Sequence, residues 1–507
     1  MLMRYAVNLA GGHGIVWNVG GHPIDGATDL GYMAVLAGVV KAGIGVERAA
    51  RVLNLVALLS SVVLCYLFAR RFHHAGALVS GLTAAFLALG PAKAYISAGF
   101  GAPFFGFFIA LVCVATEFVR RHPSRLRYAV ALGAATVVAG LVRPEGFLIG
   151  ACCFAGLLVA PGRASRRAVA AALAVALAGG AVFVMWRWSY FGYPLPNPYY
   201  KKGGERLHFS AFLHGARSIG AMTWPLLAVA VAGVVVPSSR RRAASVLVTL
   251  GLFSLLWLLI SDEMNYRGRF QYPALVILAF ATPGIATDMW SAVRDRGAKR
   301  VSDRGLACAY CVALASGLML LASSPAYQDL AVQPQLAMAR SLAVVPNDGH
   351  TIVTTEAGLI PLLSGWPSVD AWGLNDAEIA HHGVISSERL RQIDPGVIFI
   401  HAPTKPGATT IDVSGDGFPP GWARMTDVLI RYADVKHYVL AAAYGGPGEP
   451  GSWVAYVRRG MTESDRLVRR LASLSIPGLE NLAVPGAGPL PHTPRQARPQ
   501  GRTRILG

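Results

Sequence analysis

Charge is scarce in this chain. Only 14% of its 507 residues are Asp, Glu, Lys or Arg, and 54% are hydrophobic. An average soluble chain carries about 25% charged residues, so the shortage excludes an ordinary soluble enzyme. Acidic residues are scarcest, 27 against 46 Lys and Arg. Cysteine is absent from the C-terminal third, which therefore has no disulfide framework. The six cysteines (Cys65, Cys113, Cys152, Cys153, Cys308 and Cys311) all fall in apolar runs. Cys308 and Cys311 are spaced like half a metal site, but no second pair exists, and all six read as small buried packing residues. The opening stretch lacks the basic start, continuous apolar run and small-residue cleavage site of a signal peptide. It is a polar, turn-rich loop instead, and no internal repeat is evident along the chain.

What the chain has in abundance is apolar runs long enough to cross a bilayer, about 17–25 residues each. Spans are expected near 50–69, 76–90, 102–119, 127–142, 146–160, 168–187, 219–236, 244–260, 271–287 and 306–322, with 30–43 a short interfacial piece. The net charge of +19 does not signal nucleic acid, because the excess sits in alternate short loops. These hold Arg70-Arg71, Arg120-Arg121 with Arg125 and Arg127, Arg163 with Arg166-Arg167, Arg240-Arg241-Arg242, and Arg294 to Arg304. The positive-inside rule makes those loops cytoplasmic and puts the other loops and both chain ends outside. The expected domains are a first extracytoplasmic loop with its interfacial helix (1–45), a transmembrane domain (46–323), an extracytoplasmic α/β domain (324–484) and a disordered tail (485–507). In the third of these, Thr351–Thr355, Val397–His401 and Trp453–Val457 read as strands.

The distinctive polar segments all fall on the expected outer side: the opening loop, 95–103, Arg143-Pro144-Glu145, 190–206 and 262–270. Arg143, Lys201, Lys202, Arg267 and Arg269 are cations at the membrane edge, where ionisable residues are functional candidates. Guanidinium groups bind phosphate oxygens through forked, charge-assisted bonds, so a lipid phosphate would suit them. Against that stands the bland alternative that an Arg at a helix end only snorkels. The neighbouring aromatics, Trp186, Trp188, Tyr190, Tyr193, Tyr199 and Tyr200, read as an interfacial belt. Asp25, Asp29, Glu145, Asp262 and Glu263 are the outer carboxylates available as a general base, although Glu145 could equally pair with Arg143.

Together these segments resemble the bacterial GT-C glycosyltransferases, in particular the group of the mycobacterial terminal arabinofuranosyltransferase. That group shows Arg-Tyr-Ala-x-Asn-Leu, Gly-x-Gly, Trp- or Phe-Asn and Val-Glu-Gly-x-Thr-Asn. This chain has Arg4-Tyr5-Ala6-Val7-Asn8-Leu9, Gly12-His13-Gly14, Trp17-Asn18 and Ile24-Asp25-Gly26-Ala27-Thr28-Asp29. Arg143-Pro144-Glu145 is similar to the group's Arg-Pro-Glu, and 190–201, with Leu195-Pro196-Asn197 and Tyr200-Lys201, to its Leu-Pro-Asn…Ala-Lys loop. Asp262 with Arg269-Phe270 and Pro273 resembles a further segment, and Asp370-Ala371-Trp372-Gly373-Leu374-Asn375-Asp376 a stretch of its soluble domain.

The resemblance implies a polytopic α-helical membrane protein of GT-C type, with about ten spans and a C-terminal extracytoplasmic α/β domain. Its activity would be inverting transfer of a sugar, with arabinofuranose as the nearest guess, from a polyprenyl-phosphate donor. The acceptor would be a cell-envelope glycan or lipid on the outer face of the cytoplasmic membrane. Arg143, Lys201, Lys202, Arg267 and Arg269 would hold the donor phosphate. Arg4, His13, Asn18, Asp25, Glu145, Asn197 and Tyr200 would line the sugar or acceptor pocket. No nucleic acid is implied, no cofactor is certain, and a divalent metal is left open. Two acidic features depart from the pattern. The group's Asp-Asp pair would precede Arg4, which suggests a start codon upstream of Met1, and Gly101 stands where the group has Glu. Asp25 and Asp262 are then the candidates for the base. Two rivals are a catalytically dead homologue that binds lipid-linked sugar, and a secondary transporter. A transporter would more typically show paired repeats and midplane ionisable residues.

Overall fold

The computed structural model describes residues 1–159, 166–203, 207–295, 310, 312–317, 319, 333–402, 418, 420–445 and 451–483. Arg163, Arg206, most of the expected 306–322 span with Cys308 and Cys311, and the 485–507 tail lie outside them. The chain forms two compact units, Leu2–Leu330 and Ala331–Gly507.

The described residues of the first unit are mainly helical, apart from the opening loop 11–29 and shorter connections. Among the described residues seven helices are long and apolar enough to cross a membrane: Val46–Arg71, Ala77–Ser97, Ala102–Arg121, Arg166–Phe191, Phe209–Val235, Arg240–Leu258 and Tyr266–Ala292. Three apolar helices are shorter, Leu30–Lys41, Leu126–Val142 and Glu145–Leu158. The protein is an integral membrane protein, and its helices are amphipathic in the sense lipid demands. Val46–Arg71 turns Val52, Val56, Leu59 and Val63 outward and buries Ala49, Ala50, Asn54, Ala57 and Ser61. Helices in lipid gain little from hiding leucine and pack instead through small residues and interhelical hydrogen bonds. Asn54 is such a bond: its amide donates to Tyr32 Oη at 2.7 Å and accepts from the Phe104 amide at 3.2 Å. Three helices are thereby tied together beneath the opening loop.

We number the elements near the site α1 (Leu2–Ala10), α2 (Leu30–Lys41), α3 (Val46–Arg71), α4 (Ala102–Arg121), α5 (Leu126–Val142), α6 (Glu145–Val159), α7 (Arg166–Phe191) and α8 (Asn197–Lys202). Pro144 sets the turn between α5 and α6, because a residue before proline is pushed out of helical geometry. Arg143 accordingly takes φ −147° and ψ 137°. Gly31, in the first turn of α2, brings that helix onto the same turn. A Cβ there would lie 2.8 Å from Val142 Cα, so only glycine lets Asp29 approach Arg143.

The second unit is an α/β domain around a six-stranded sheet of order β2-β1-β3-β5-β4-β6. The strands are β1 (Ile352–Thr354), β2 (Ser368–Asp370), β3 (Val397–Ala402), β4 (Val439–Gly445), β5 (Ser452–Val457) and β6 (Glu480–Asn481). β1 pairs in parallel with β2 and β3, and the remaining pairs are antiparallel. One face packs on a core that includes Met338, Leu342, Phe399, Tyr444, Trp453 and Leu467. Asp370 closes β2 by accepting from the amides of Trp372 and Asn375 and from the Asn375 side chain, so the Asp370–Asp376 motif builds a buried turn.

Candidate functional site

The opening loop is held in place by the residues of its own motif. Arg4 and Asn8 lie one turn apart on α1. Arg4 Nε donates to Trp17 O at 2.7 Å, its Nη2 to Asn18 Oδ1 at 2.8 Å, and Asn8 Nδ2 to Val16 O at 2.8 Å. The Tyr190 hydroxyl, from α7, accepts from the Ile15 amide at 3.1 Å. Asp25 forms a buried ion pair with Arg187 of α7, and its carbonyl accepts from the Asn197 amide at 3.0 Å. Burial pushes the Asp25 carboxyl up to about 6 against the pull of the Arg187 guanidinium. Asp25 therefore works as an anchor, already occupied by its cation, and Arg4, Asn18 and Asn197 frame the loop.

That frame delivers Asp29 to a cluster of charges. Arg143 Nη1 lies 2.7 Å from Asp29 Oδ1 and Nη2 lies 2.8 Å from Glu145 Oε1. Burial alone would lower the Arg143 guanidinium, but the two carboxylates outweigh it and hold the charge in place. Two further cations sit beside this triad without a carboxylate of their own. Lys202 Nζ donates to Glu263 O at 2.6 Å, and Arg269 Nη2 donates to Met264 O at 3.1 Å. Among the described residues neither makes an ion pair, and Arg269 Nε is buried with no hydrogen-bond partner. All three cations surround one ring: Arg143, Lys202 and Arg269 lie 5.4, 5.5 and 5.0 Å from the centre of Phe270. A phenyl face attracts cations but cannot neutralise them. The strain appears at Lys202, whose ammonium is lowered to about 7 by burial and then by Arg269 and Arg143.

Gly101 borders the same corner. A Cβ at that position would meet Tyr32 Cδ1 at 2.6 Å and Asp29 Oδ2 at 3.0 Å, so the space is filled by a tyrosine ring and by the second Asp29 oxygen. Asp29 thus has one oxygen held by Arg143 and the other on the Gly101 side.

The other sequence candidates lie apart from this cluster or contribute only backbone. Arg267 is half-buried at φ 57° and its carbonyl accepts from Tyr95 Oη at 2.7 Å. Asp262 pairs with His214, which is largely exposed. His13 is exposed at the loop tip, and Lys201 and Tyr200 are half-buried on α8, with Tyr200 against the rings of Tyr193 and Tyr199. Sequence reasoning passed over Arg187, gave Phe270 only as part of a motif, and named Asp25 and Asp262 rather than Asp29 as candidates for the base. Arg187 did carry a signal, since it is the only charged residue between Arg167 and Lys201. A lone charge within an apolar helix calls for a buried partner. Among the described residues no three His, Cys, Asp or Glu side chains converge as a metal site would require, so no step through a metal is derived.

Comparison with known proteins shows where the fold recurs. A domain of unknown function, DUF8728, matches residues 325–456, the region of the α/β unit. No curated protein matches the chain in sequence. In structure the chain is similar to ArnT from Cupriavidus metallidurans bound to undecaprenyl phosphate, with a TM-score of 0.54 at 13% identity over 91% of this chain and 93% of that one. The apo form of the same protein gives the same score and identity over 94% of each chain. The archaeal oligosaccharyltransferase AglB from Archaeoglobus fulgidus, in complex with an inhibitory peptide and a dolichol-phosphate, scores 0.51 at 11% identity over 90% of this chain and 70% of that one. The shared property is the fold: a polytopic helical membrane unit followed by an extramembrane domain, here an α/β domain.

Proposed function

From that GT-C fold, we propose that the protein is a glycosyltransferase that takes a sugar from a polyprenyl-phosphate donor. The observation that carries this reading is the trio around Phe270, in which Lys202 is buried, Arg269 is half-buried with its Nε enclosed, and neither forms an ion pair among the described residues. Burying unpaired charge costs several kcal/mol unless an anion comes to it. A lipid phosphate is such an anion, and ArnT has been captured with undecaprenyl phosphate bound. Arg143 would orient the site, while Lys202 and Arg269 would meet the phosphate and stabilise the charge it gains as it departs.

Asp29 is the carboxylate best placed to act as base. Arg143 fixes its Oδ1, leaving Oδ2 to take the proton of an acceptor hydroxyl as that oxygen attacks the anomeric carbon. The bond from that carbon to the phosphate breaks, the electron pair leaves with the polyprenyl phosphate, and the configuration inverts. The sidedness follows the positive-inside pattern: reaction at the extracytoplasmic face of the cytoplasmic membrane, with the α/β domain on the same side. Arabinofuranose as the sugar, and an envelope glycan or lipid as the acceptor, rest on the sequence motifs alone.

The test is binding and turnover of a polyprenyl-phosphate sugar by the full chain in nanodiscs. Replacing both Lys202 and Arg269 with Met should weaken donor binding by about a hundredfold or more, since each charge-assisted bond is worth about 1.5–3 kcal/mol. Unchanged donor affinity in that double variant would sink the assignment. Donor binding without transfer to any acceptor would favour the second reading, a homologue that only carries the lipid-linked sugar.

A further inference from the structure

The trio around Phe270 hangs on a segment whose backbone is locally unfavourable. Between Ser261 and Gln271 the chain turns left-handed at Met264 with φ 61°, Arg267 with φ 57° and Gly268 with φ 66°. Glycine tolerates that conformation, whereas Met and Arg adopt it against the clash of their own Cβ atoms. Such residues persist only where the surroundings hold them, and they cluster at ligand sites. Here Arg267 and Gly268 break the short helical turn Tyr266–Gln271, which carries Arg269 and Phe270. The same segment supplies the Glu263 and Met264 carbonyls that receive Lys202 and Arg269. Its Ser261 amide also donates to the Lys202 carbonyl at 3.0 Å, so the segment holds that lysine by main chain and side chain.

Asn265 spans the irregular stretch. Its backbone amide donates to Asp262 O at 3.0 Å, and its carbonyl accepts from the Gly268 amide at 3.2 Å, which closes the turn on either side. Its Oδ1 accepts from the Phe270 amide at 3.1 Å, and its Nδ2 donates to Gln271 Oε1 at 2.8 Å. The acceptor and the donor of one planar amide are thus both used to reach across the kink. Gln271 is fully buried, so the second bond ties Asn265 to a fixed point at the start of the helix Tyr272–Asp295. Tyr95 braces the kink from another helix. Its hydroxyl donates to the Arg267 carbonyl at 2.7 Å, and its ring meets Tyr272 edge-on at 5.6 Å.

We propose that Asn265 is the positioning residue of the phosphate site: with Tyr95 it fixes the left-handed kink that keeps Arg269 and Phe270 beside Lys202. It acts through those residues and brings no charge of its own for a phosphate to meet. Without the Asn265 side chain the Phe270 amide loses its acceptor, and the kink is free to relax toward the right-handed turn that Met and Arg prefer. Arg269 and Phe270 then leave the places from which the cations act together. The inference rests on reading the trio as the site of the donor phosphate.

The experiment compares the binding of a polyprenyl phosphate and of the polyprenol of equal chain length to the full chain in nanodiscs. The two lipids differ only in the phosphate, so the ratio of their affinities isolates what the cations contribute. The native protein should prefer the phosphate by about a hundredfold or more. Asn265→Ala should cut that preference about tenfold, through loss of two hydrogen bonds, and leave polyprenol binding as it was. Tyr95→Phe keeps the ring and removes one hydroxyl, so it preserves the fold and should cut the preference about threefold. Damage to the fold alone would weaken both lipids together. The proposal is overturned if either folded variant keeps the native preference, or if polyprenol binding falls as far as phosphate binding. A native chain with no preference would instead remove the donor-phosphate reading itself, and this inference with it.

Discussion

Each end of the membrane unit gathers three cations and two carboxylates, and the two clusters are paired in opposite ways. At the arginine-rich end, Glu117 reaches Arg120 at 3.6 Å, Arg121 at 3.4 Å and Arg242 at 3.2 Å, and Asp288 takes Arg242 again at 3.0 Å. Leftover donors are used as well: Arg120 bonds Ser245 Oγ, and Arg121 bonds the Phe72 carbonyl. At the loop end both carboxylates go to Arg143, while Lys202 and Arg269 rest on carbonyls and on Phe270. A cluster in which every cation shares a carboxylate locks helices together. A cluster that concentrates its carboxylates on one cation leaves the others ready for an incoming anion. Composition alone does not separate a lock from a site; the pairing does.

The difference can be broken from the loop end first. Asp29→Asn keeps the shape and hydrogen bonding of the side chain but removes its basicity. Turnover should fall about 10²–10⁴-fold, the usual contribution of a positioned base, with donor affinity nearly unchanged. Single-turnover assays beside donor titrations would read both. A variant that turns over normally would remove Asp29 from the reaction and leave the base unassigned.

The other end should respond in stability instead. Glu117→Gln deprives three arginines of their common partner, and breaking a buried pair from one side costs about 3–5 kcal/mol. Thermal unfolding of the full chain should therefore shift downward well beyond the shift caused by Asp29→Asn. Donor affinity per folded molecule should stay constant. If Glu117→Gln instead weakened donor binding and left unfolding in place, the two clusters would have exchanged roles.

Much of this contrast could be read from the chain before folding. The apolar runs gave the helices, and local grammar set Arg143, Lys202 and Arg269 beside Lys201 and Arg267 as five cations of equal standing. Which carboxylate serves which cation could not be read, because it depends on pairings such as Arg187 with Asp25, 162 residues apart. That single pair converts Asp25 from a candidate base into an anchor. Gly101 reads in sequence as a lost acid, whereas in space Tyr32 and Asp29 fill its corner. In the α/β unit, His401 and Trp453 lie in separate strands and meet only through the β3–β5 register. Close approach and register are tertiary facts, and no motif encodes them locally.

Gly101→Ala would sharpen the reading of that corner. The added methyl collides with Tyr32 and crowds Asp29, and overpacking of this kind costs about 1–3 kcal/mol. Turnover should fall about tenfold, through displacement of the base, and unfolding should move down modestly. Equal turnover in this variant would place the reacting hydroxyl away from Asp29 Oδ2.

The smallest effect is also the most specific to an unpaired cation. Lys202 stands at about 7, below its ordinary 10.5, because burial and the neighbouring guanidinium groups oppose its charge. In the empty protein the depressed value means that neutral Lys202 favours the fold at high pH, a contribution lost as pH falls from about 10.5 toward about 7. A bound phosphate reverses the preference, since it rewards the ammonium and raises its pKa. A donor phosphodiester has no second proton to lose, so near neutrality its own charge stays fixed. Between pH 7 and pH 8 the protonated fraction of Lys202 drops from about a half to about a tenth, and donor affinity should weaken about fivefold. Binding at pH 8 should take up a proton, visible as a dependence of binding enthalpy on buffer ionisation. Lys202→Met should bind more weakly throughout and lose both the slope and the proton uptake. A Met variant that retained the slope would assign the titration to another group and leave Arg269 as the only unpaired cation of the site.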